Sequence, residues 1–588
     1  MSYVELHARS AFSFLRGASF PEELIDTAAH LNMPALALCD RAGVYGAPRF
    51  FAAAKKQGIR AIIGAELPIE DGTVLPVLVE KQAGYKNLCR LLTRAHLRAP
   101  KTEGTVRWDE LPEFVEGLVA LTSPLVAADV SPRPNEFPEK CRGLTSAATR
   151  AKEVLERLLH IFGRDHLFVE VQRHQIRGEA WKVDALRQLA QAYRLPLLAT
   201  NSVLYAKPKR RAVLDVFTCI RNHTHLDAAG KLLEINSNRY LRSAAEMRQL
   251  FADMPEAIEN TVRLADRLQF SLDNLGYEFP RYPVPAGESM DSFLRKQTYA
   301  GAAQRYRELT QKVRAQLDRE LALIQKLGFP GYFLIVWDII NFCRENNIMV
   351  QGRGSAANSA VCFSLGITAV DPLENNLLFE RFLTESRKGW PDIDLDLPSG
   401  DRREAVIQEV YQRYGRHGAA MTANVITYRG KSAAREIGKA LNFSNDVLDR
   451  FSNLFASGDF PHTMDLQAQL QQAGIPPTHP RAPAFIALYQ SIYGLPRHLG
   501  QHSGGMIICQ GQLDSVVPLE NASMPGRTVA QWDKEDCEDL GIVKVYLLGL
   551  GMMSVMQDAI KLTRQRGHPI DLATIPKDDP ATFEMMQK

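Results

Sequence analysis

The stretch "WPDIDLDLP", Trp390 to Pro398, puts a carboxylate at every second position: Asp392, Asp394 and Asp396 alternate with Ile393 and Leu395. Side chains alternate sides along a β-strand, so this pattern predicts a strand with the three aspartates on one face, neighbours about 7 Å apart, and the apolar residues turned to a core. Pro391 and Pro398 bracket it, where proline belongs. Like charges in a row repel unless a cation meets them, and a divalent metal would do so. An EF-hand loop starting at Asp392 is excluded, because its sixth position is Leu397 instead of Gly and its twelfth is Arg403 instead of Glu. A solvated edge strand blunted by its charges remains an alternative.

Upstream, "NIMVQGRGSAANSAVCFSLG" (347–366) reads as a strand "NIMV", then a turn through Gly352, Arg353, Gly354 and Ser355, then a helix. Such a turn aims backbone N–H groups at an anion, and phosphate is the natural ligand. No Gly-Lys-Ser/Thr closes it, so it is not a P-loop, and an ordinary turn remains open. A phosphate cradle beside a carboxylate strand is what metal-assisted phosphoryl or nucleotidyl transfer requires.

The bulk composition sets limits around these motifs. At 588 residues the chain is too long for one core, and about 150 residues per domain predicts three or four units. Hydrophobic residues at 45% and charged residues at 23% are globular values, which exclude wholesale disorder. With 70 Lys and Arg against 67 Asp and Glu, any attraction to nucleic acid must come from a local patch. Eight cysteines without a CxxC pair argue against structural zinc and a disulfide framework, and fit a reducing cytoplasm. The start "MSYVELHARS" is not a leader, and no run of about 18 apolar residues suggests a membrane span.

Along the chain, residues 1–205 alternate short apolar runs ("PALALC", "HLFVEV", "LPLLAT") with helix-like segments, and read as a barrel-like α/β domain containing the Pro-rich loop "DVSPRPNEFPEK" (129–140). Residues 206–285 read as helical and end at "FPRYPVPAGES". Residues 286–415 carry the turn and acidic strand, 416–495 read as helical, 496–560 return to strands at "GMIICQ" and "GIVKVYLLGL", and 561–588 form a tail.

Taken together, "GRGSAANSAVCFSLGITAVDPLENNLLFERFL", "PDIDLD", "TANVITYRGKSAAREIGKAL", "RHLGQHSGGMII" and "QWDKEDCEDLGIVKVYLLGL" resemble, in order, the palm and thumb of bacterial C-family DNA polymerases. "ELHARSAFSFLRGASFPEEL" and "MPGRTVAQWDKEDC" resemble the error-prone, damage-inducible paralogue of the polymerase III alpha subunit. The resemblance implies an α/β multidomain chain. An N-terminal polymerase-and-histidinol-phosphatase (PHP) domain, a distorted (β/α) barrel over 1–205, leads through a connector (206–285) to a polymerase-beta-like palm (286–415 and 496–560). A helical thumb (416–495) is inserted in that palm, and 561–588 would begin the fingers.

Its implied activity is template-directed addition of deoxynucleoside triphosphates to primer-template DNA, in damage tolerance and translesion synthesis. Two Mg²⁺ ions would be held by Asp392 and Asp394, the catalytic pair. Gly354, Ser355, Arg381 and Lys544 would lie near the triphosphate, and Lys431 and Arg435 would meet the duplex backbone, although a solvated basic face is the alternative for these two. A sliding clamp and damage-tolerance accessory proteins would be met through regions lying outside this sequence. His498 and His502 stand four apart, but Gly500, Gly504 and Gly505 argue for a loop over a metal-binding helix.

Two departures stand out. The family's third catalytic aspartate would fall at Tyr546 in "KVYLLGL", and a neutral phenol is a poor Mg²⁺ ligand, so impaired chemistry is expected. The chain ends in "IPKDDPATFEMMQK", which resembles the start of the fingers and implies a shortened product or a fragment. The PHP metal site is degraded as well: His7, Asp40 and Glu66 remain, whereas Arg9, Arg16 and Arg41 stand at ligand positions and Ser202 and Leu204 at positions often Asp and His. Arginine replaces a metal's charge without binding the metal, so phosphatase or proofreading activity is not expected. A non-catalytic chain that binds DNA or polymerase partners is the alternative.

Overall fold

The computed structural model describes residues 2–100, 104–122, 140–385, 390–455, 465–570 and 579–588, with the side chains of 140–150 left out. The chain divides into two compact units. The first comprises 1–276, 423–501 and 514–536; the second comprises 277–422, 502–513 and 537–588.

The first unit is organised by a sheet in chain order: β1 (Glu5–Ala8), β2 (Ala35–Arg41), β3 (Arg60–Pro68), β4 (Val74–Val79), β5 (Leu118–Thr122), β6 (Leu167–Val171) and β7 (Leu197–Ala199). Pairing is parallel except for β3–β4 and β4–β5, and the segment after β7 returns to β1 through a parallel bridge, Val203 to Ala8. This return gives the barrel character expected of residues 1–205. Its strands read as unbroken apolar runs because both faces are covered, with Leu6, Ala37, Ile62, Leu121 and Leu198 in one core. Most of the Pro-rich loop at 129–140 lies outside the described residues.

The helices expected in 206–285 form at Arg211–Arg221, Leu226–Ala229, Ala244–Leu250 and Pro255–Arg267. The region expected to be helical from 416 opens instead in a strand, and its helices are Gly430–Ala440, Asn445–Leu454, Leu466–Gln472 and Ala482–Ile492. Phe217 of the first group and Ile437, Phe451, Phe485 and Tyr489 of the second share one buried cluster with Ala11 and Ala18, which is why these segments form a single unit and do not separate at 205.

Strands β8 (Gln351–Arg353), β9 (Asp394–Pro398), β10 (Ala419–Thr427), β11 (Pro496–Ile508), β12 (Leu519–Asn521), β13 (Thr528–Asp533) and β14 (Lys544–Leu550) follow. In the second unit the order is β11-β14-β9-β8, and β10 lies beside β11. β14 runs parallel to β9, while β8 is antiparallel to β9 and β11 is antiparallel to β14. The unit's helices include Gln311–Lys326, Pro330–Glu345, Asp401–Tyr414 and Gly551–Gln565. The expected strand "NIMV" is displaced to Gln351–Arg353. His498 and His502 lie neither on a helix nor in a loop but within β11, where side chains four apart are about 13 Å from each other and cannot share an ion. The tail helix Pro580–Met586 holds most of the described part of "IPKDDPATFEMMQK"; residues 575–578 lie outside the described residues. Among the described residues no single helix is long and apolar enough to cross a membrane.

Candidate active site

The acidic strand begins one aspartate later than the sequence pattern suggests. Regular pairing starts at Asp394, and Asp392 and Ile393 precede the strand. Ile393 is held there by its amide, which donates to the Tyr332 hydroxyl at 3.0 Å. The alternation survives: Ile393, Leu395 and Leu397 are fully buried. The register sets Arg353 beside Asp394 on one flank and Tyr546 beside Asp394 on the other, so these side chains share a sheet face. Gly505 of β11 lies opposite Tyr546.

Arg353 acts as an internal cation. Its Nε is 3.3 Å from Asp396 Oδ1 and 3.6 Å from Asp394 Oδ2. Asp396 is held above the usual carboxylate range by burial, opposed by Arg353 and reinforced by Asp394. Burial, and then the charges of Asp392 and Asp394, push the Tyr546 phenol well above its ordinary pKa, so it stays neutral. The His502 ring meets that of Tyr546 edge to face at 5.8 Å, and its Nδ1 accepts from the amides of Gly504 at 3.1 Å and Gly505 at 2.8 Å. Those bonds place the neutral ring's proton on Nε2. Lys544 is two residues before Tyr546 and on the same face, with Nζ 3.5 Å from Glu538.

The Gly-rich turn is a 3₁₀ helix, Gly354–Asn358, entered with Gly354 at φ +67°, a backbone conformation that favours glycine. The helix after it, Ala360–Ser364, does not offer its N-terminus to an anion as the sequence suggested. Glu320 already occupies it, accepting from Ser359 Oγ at 2.7 Å and from the amides of Ala360 and Val361 at 3.0 Å each. A buried carboxylate from the chain itself thus satisfies that helix end. Arg381 is exposed at the end of a 3₁₀ turn anchored by buried Phe379.

In the first unit, Lys431 is exposed on Gly430–Ala440, but Arg435 is used internally. Its Nη1 donates to Leu448 O at 2.6 Å, Ser452 Oγ at 2.6 Å and Asp449 Oδ1 at 3.0 Å.

The residual PHP residues close upon each other. His7 Nδ1 is 2.7 Å from Glu170 Oε1 and Nε2 is 2.8 Å from Glu66 Oε1, all fully buried. Two carboxylate partners require both ring nitrogens to donate, and although burial opposes the charge these partners hold the imidazolium up to about 10. Arg9 Nε lies 3.2 Å from Glu66 and Arg41 Nη1 3.9 Å from it. Against the desolvation penalty, Arg9 and His7 bring Glu66 down to about 2. Asp40 is tied by Ser10 N at 2.8 Å, Ser10 Oγ at 2.9 Å and Ser13 Oγ at 2.7 Å. Arg16 is half-buried, and Ser202 and Leu204 flank the bridge that closes the sheet. Among the described residues no group of three His, Cys, Asp or Glu is arranged to hold a metal ion. Sequence reasoning missed Glu170 and Glu320, although a lone acid inside the apolar run "LFVEV" is a detectable signal of a buried, partnered charge.

Residues 292–549 match the bacterial DNA polymerase III alpha NTPase domain, and residues 5–174 match the PHP domain. The error-prone DNA polymerase of Mycolicibacterium paratuberculosis is 43% identical, over 100% of this chain and 53% of its own length. That of Pseudomonas aeruginosa is 40% identical, over 100% of this chain and 54% of its own length. The chain is thus similar to bacterial error-prone DNA polymerases along its whole length, and it spans about half the length of those that it matches.

Proposed function

We propose that the chain serves error-prone, template-directed nucleotidyl transfer onto primer-template DNA in the cytoplasm, in damage tolerance and translesion synthesis. The observation that carries this reading is the register of β8, β9 and β14, which aligns Asp394 with the strand entering the Gly354–Ser355 turn and with the strand bearing Lys544. Asp392 and Asp394 are the proposed catalytic carboxylates, and Mg²⁺ is the proposed cofactor. When bound, Mg²⁺ supplies charge to the triphosphate and acidity to the primer hydroxyl. Gly354, Ser355, Arg381 and Lys544 are proposed to orient the triphosphate. Lys431 is proposed to meet the duplex backbone, and Arg435 to position the helix that carries it. The PHP domain is proposed to be structural, and any clamp or accessory contact to belong to a longer protein.

Tyr546 favours a second reading, a chain that binds DNA or polymerase partners without extending them, since it places a neutral phenol beside Asp394. Primer extension with and without Mg²⁺ separates the two. The polymerase reading expects slow extension that Asp392→Ala and Asp394→Ala each abolish. Extension that survives both substitutions overturns this assignment of the site.

A further inference from the structure

We infer that Tyr332 is the positioning residue for Asp392, acting from the helix Pro330–Glu345 instead of through the strand pairing that places Asp394. The inference rests on the proposed nucleotidyl-transfer site and adds one residue to it. The pairing of β9 with β8 and with β14 extends back as far as Asp394. Asp392 and Ile393 precede the strand. What meets Ile393 is Tyr332, whose hydroxyl accepts from the Ile393 amide at 3.0 Å, and both residues are sealed from solvent. A buried amide left without such a partner is costly, so this one bond fixes the backbone beside Asp392.

Tyr332 is itself held firmly. Its amide donates to Phe329 O at 3.0 Å, and its ring centre lies 5.7 Å from that of Phe279, 6.1 Å from Phe333 and 6.2 Å from Trp390. Trp390, two residues before Asp392, packs in turn against Phe279 at 5.1 Å and Phe329 at 4.9 Å. Aromatic pairs at such separations have preferred geometries, so the cluster defines where the approaching chain lies. Asp392 thus hangs between the ring contacts of Trp390 on one side and the Tyr332–Ile393 bond on the other. Burial raises both the Tyr332 and the Tyr546 phenols, and Asp392 is the strongest of the charges acting on each, which sets its carboxylate near both rings. The two aspartates of the proposed pair therefore take their places from different elements, Asp394 from the sheet and Asp392 from the helix that carries Tyr332. Displacing a reacting group by about 1 Å costs about 100-fold in rate, so the hydroxyl of Tyr332 matters to the chemistry without touching substrate.

The test removes the hydroxyl and keeps the ring. In Tyr332→Phe of the 588-residue chain, amide hydrogen exchange at Ile393, read by mass spectrometry, is expected to speed up at least tenfold while exchange in the helix Pro330–Glu345 stays as it was. Addition of deoxyadenosine triphosphate to a primer opposite thymine is expected to show kcat lowered about 10–100-fold with KM for the nucleotide unchanged, a split that loss of core packing does not produce. If Tyr332→Phe does not fold, exchange in the unmodified chain carries the test: the Ile393 amide is expected to be protected as strongly as the paired amides of β9. Unchanged exchange at Ile393 in the variant, or an unprotected Ile393 amide in the unmodified chain, overturns the inference. So does faster exchange spread over the whole chain, or an unchanged kcat despite a freed Ile393 amide. Absence of primer extension by the unmodified chain counts against the polymerase reading, and the exchange at Ile393 then decides whether Tyr332 holds the segment of Asp392.

Discussion

The buried cluster around His7 in the first unit and the acidic strand in the second are built from similar residues but handle their charge differently. Glu66 and Glu170 are sealed from solvent and met by His7, with Arg9 and Arg41 adding further positive charge around Glu66. On β9, Asp394 stays about one third exposed, and one guanidinium is shared between it and Asp396. The first arrangement is self-sufficient: removing any partner leaves an uncompensated charge in a low dielectric. The second keeps unbalanced charge at a solvent-reachable face, which is what a site awaiting a ligand looks like. Arginines around Glu66 thus make a structural tie, whereas the neutral Tyr546 leaves the charge of Asp394 to Arg353 and to solvent.

The largest expected effect is in the sealed cluster. Glu66→Ala leaves His7, Arg9 and Arg41 facing each other and is expected to destabilise the protein by about 3–5 kcal/mol, read as a shift of the urea midpoint. Adding EDTA is expected to leave that midpoint unchanged, and a chelator-induced fall of the same size would show that a metal is part of this cluster.

The same cluster makes stability depend on pH with a definite sign. His7 rises from 6.5 to about 10 on folding, so its contribution is complete below 6.5 and is lost as pH rises from 6.5 through 10. Glu66 falls from 4.5 to about 2, so its contribution is complete above 4.5 and is lost as pH drops from 4.5 through 2. Glu5, pushed up to about 7 by burial, adds a loss between 4.5 and 7. Urea midpoints are thus expected to decline across the alkaline range. Replacing His7 by Gln should remove the part of the decline above pH 7, and an unchanged slope there would refute the charged-His7 assignment.

At the open site, Tyr546→Asp is expected to raise Mg²⁺-dependent primer extension by about 10–100-fold, the size of effect that ligand-shell changes have on metal sites. Unchanged or lower extension in a folded variant would mean that the phenol is not what limits the chemistry.

The smallest effects separate two basic neighbours in the first unit. Arg435→Ala is expected to lose about 1 kcal/mol of stability, because its hydrogen bonds tie helix Gly430–Ala440 to Asn445–Leu454. Lys431→Ala is expected to leave stability intact and to reduce the salt slope of DNA affinity by about 1. The opposite pattern would exchange their roles.

Much of this site was legible in the residues themselves. Alternation in "WPDIDLDLP" foretold both the buried Ile393 and Leu395 and the shared face of Asp394 and Asp396, because the two-residue period of a strand is a local property. Glycine at 354 announced its turn for the same reason. The helix after that turn misled, since a helix N-terminus attracts an anion whether it comes from a ligand or, as here, from Glu320, forty residues before Ala360. The "RHLGQHSGG" segment misled as well: its glycines suggested a loop, but in β11 Gly504 and Gly505 allow a strand to pass close to Leu548 and Thr422.

The sequence by itself determined which residue types are present and with what period, and hence the acidic face, the apolar barrel strands, the arginines at 9, 16 and 41 and the tyrosine in "KVYLLGL". Only the tertiary structure decided which charges meet. That His7 lies between Glu66 and Glu170, that Arg353 lies nearer Asp396 than Asp394, that Arg435 serves a neighbouring helix, and that Tyr546 stands level with Asp394 all depend on strand register and packing. Charge pairing acts over a few ångströms of space, and distance along the chain says little about it.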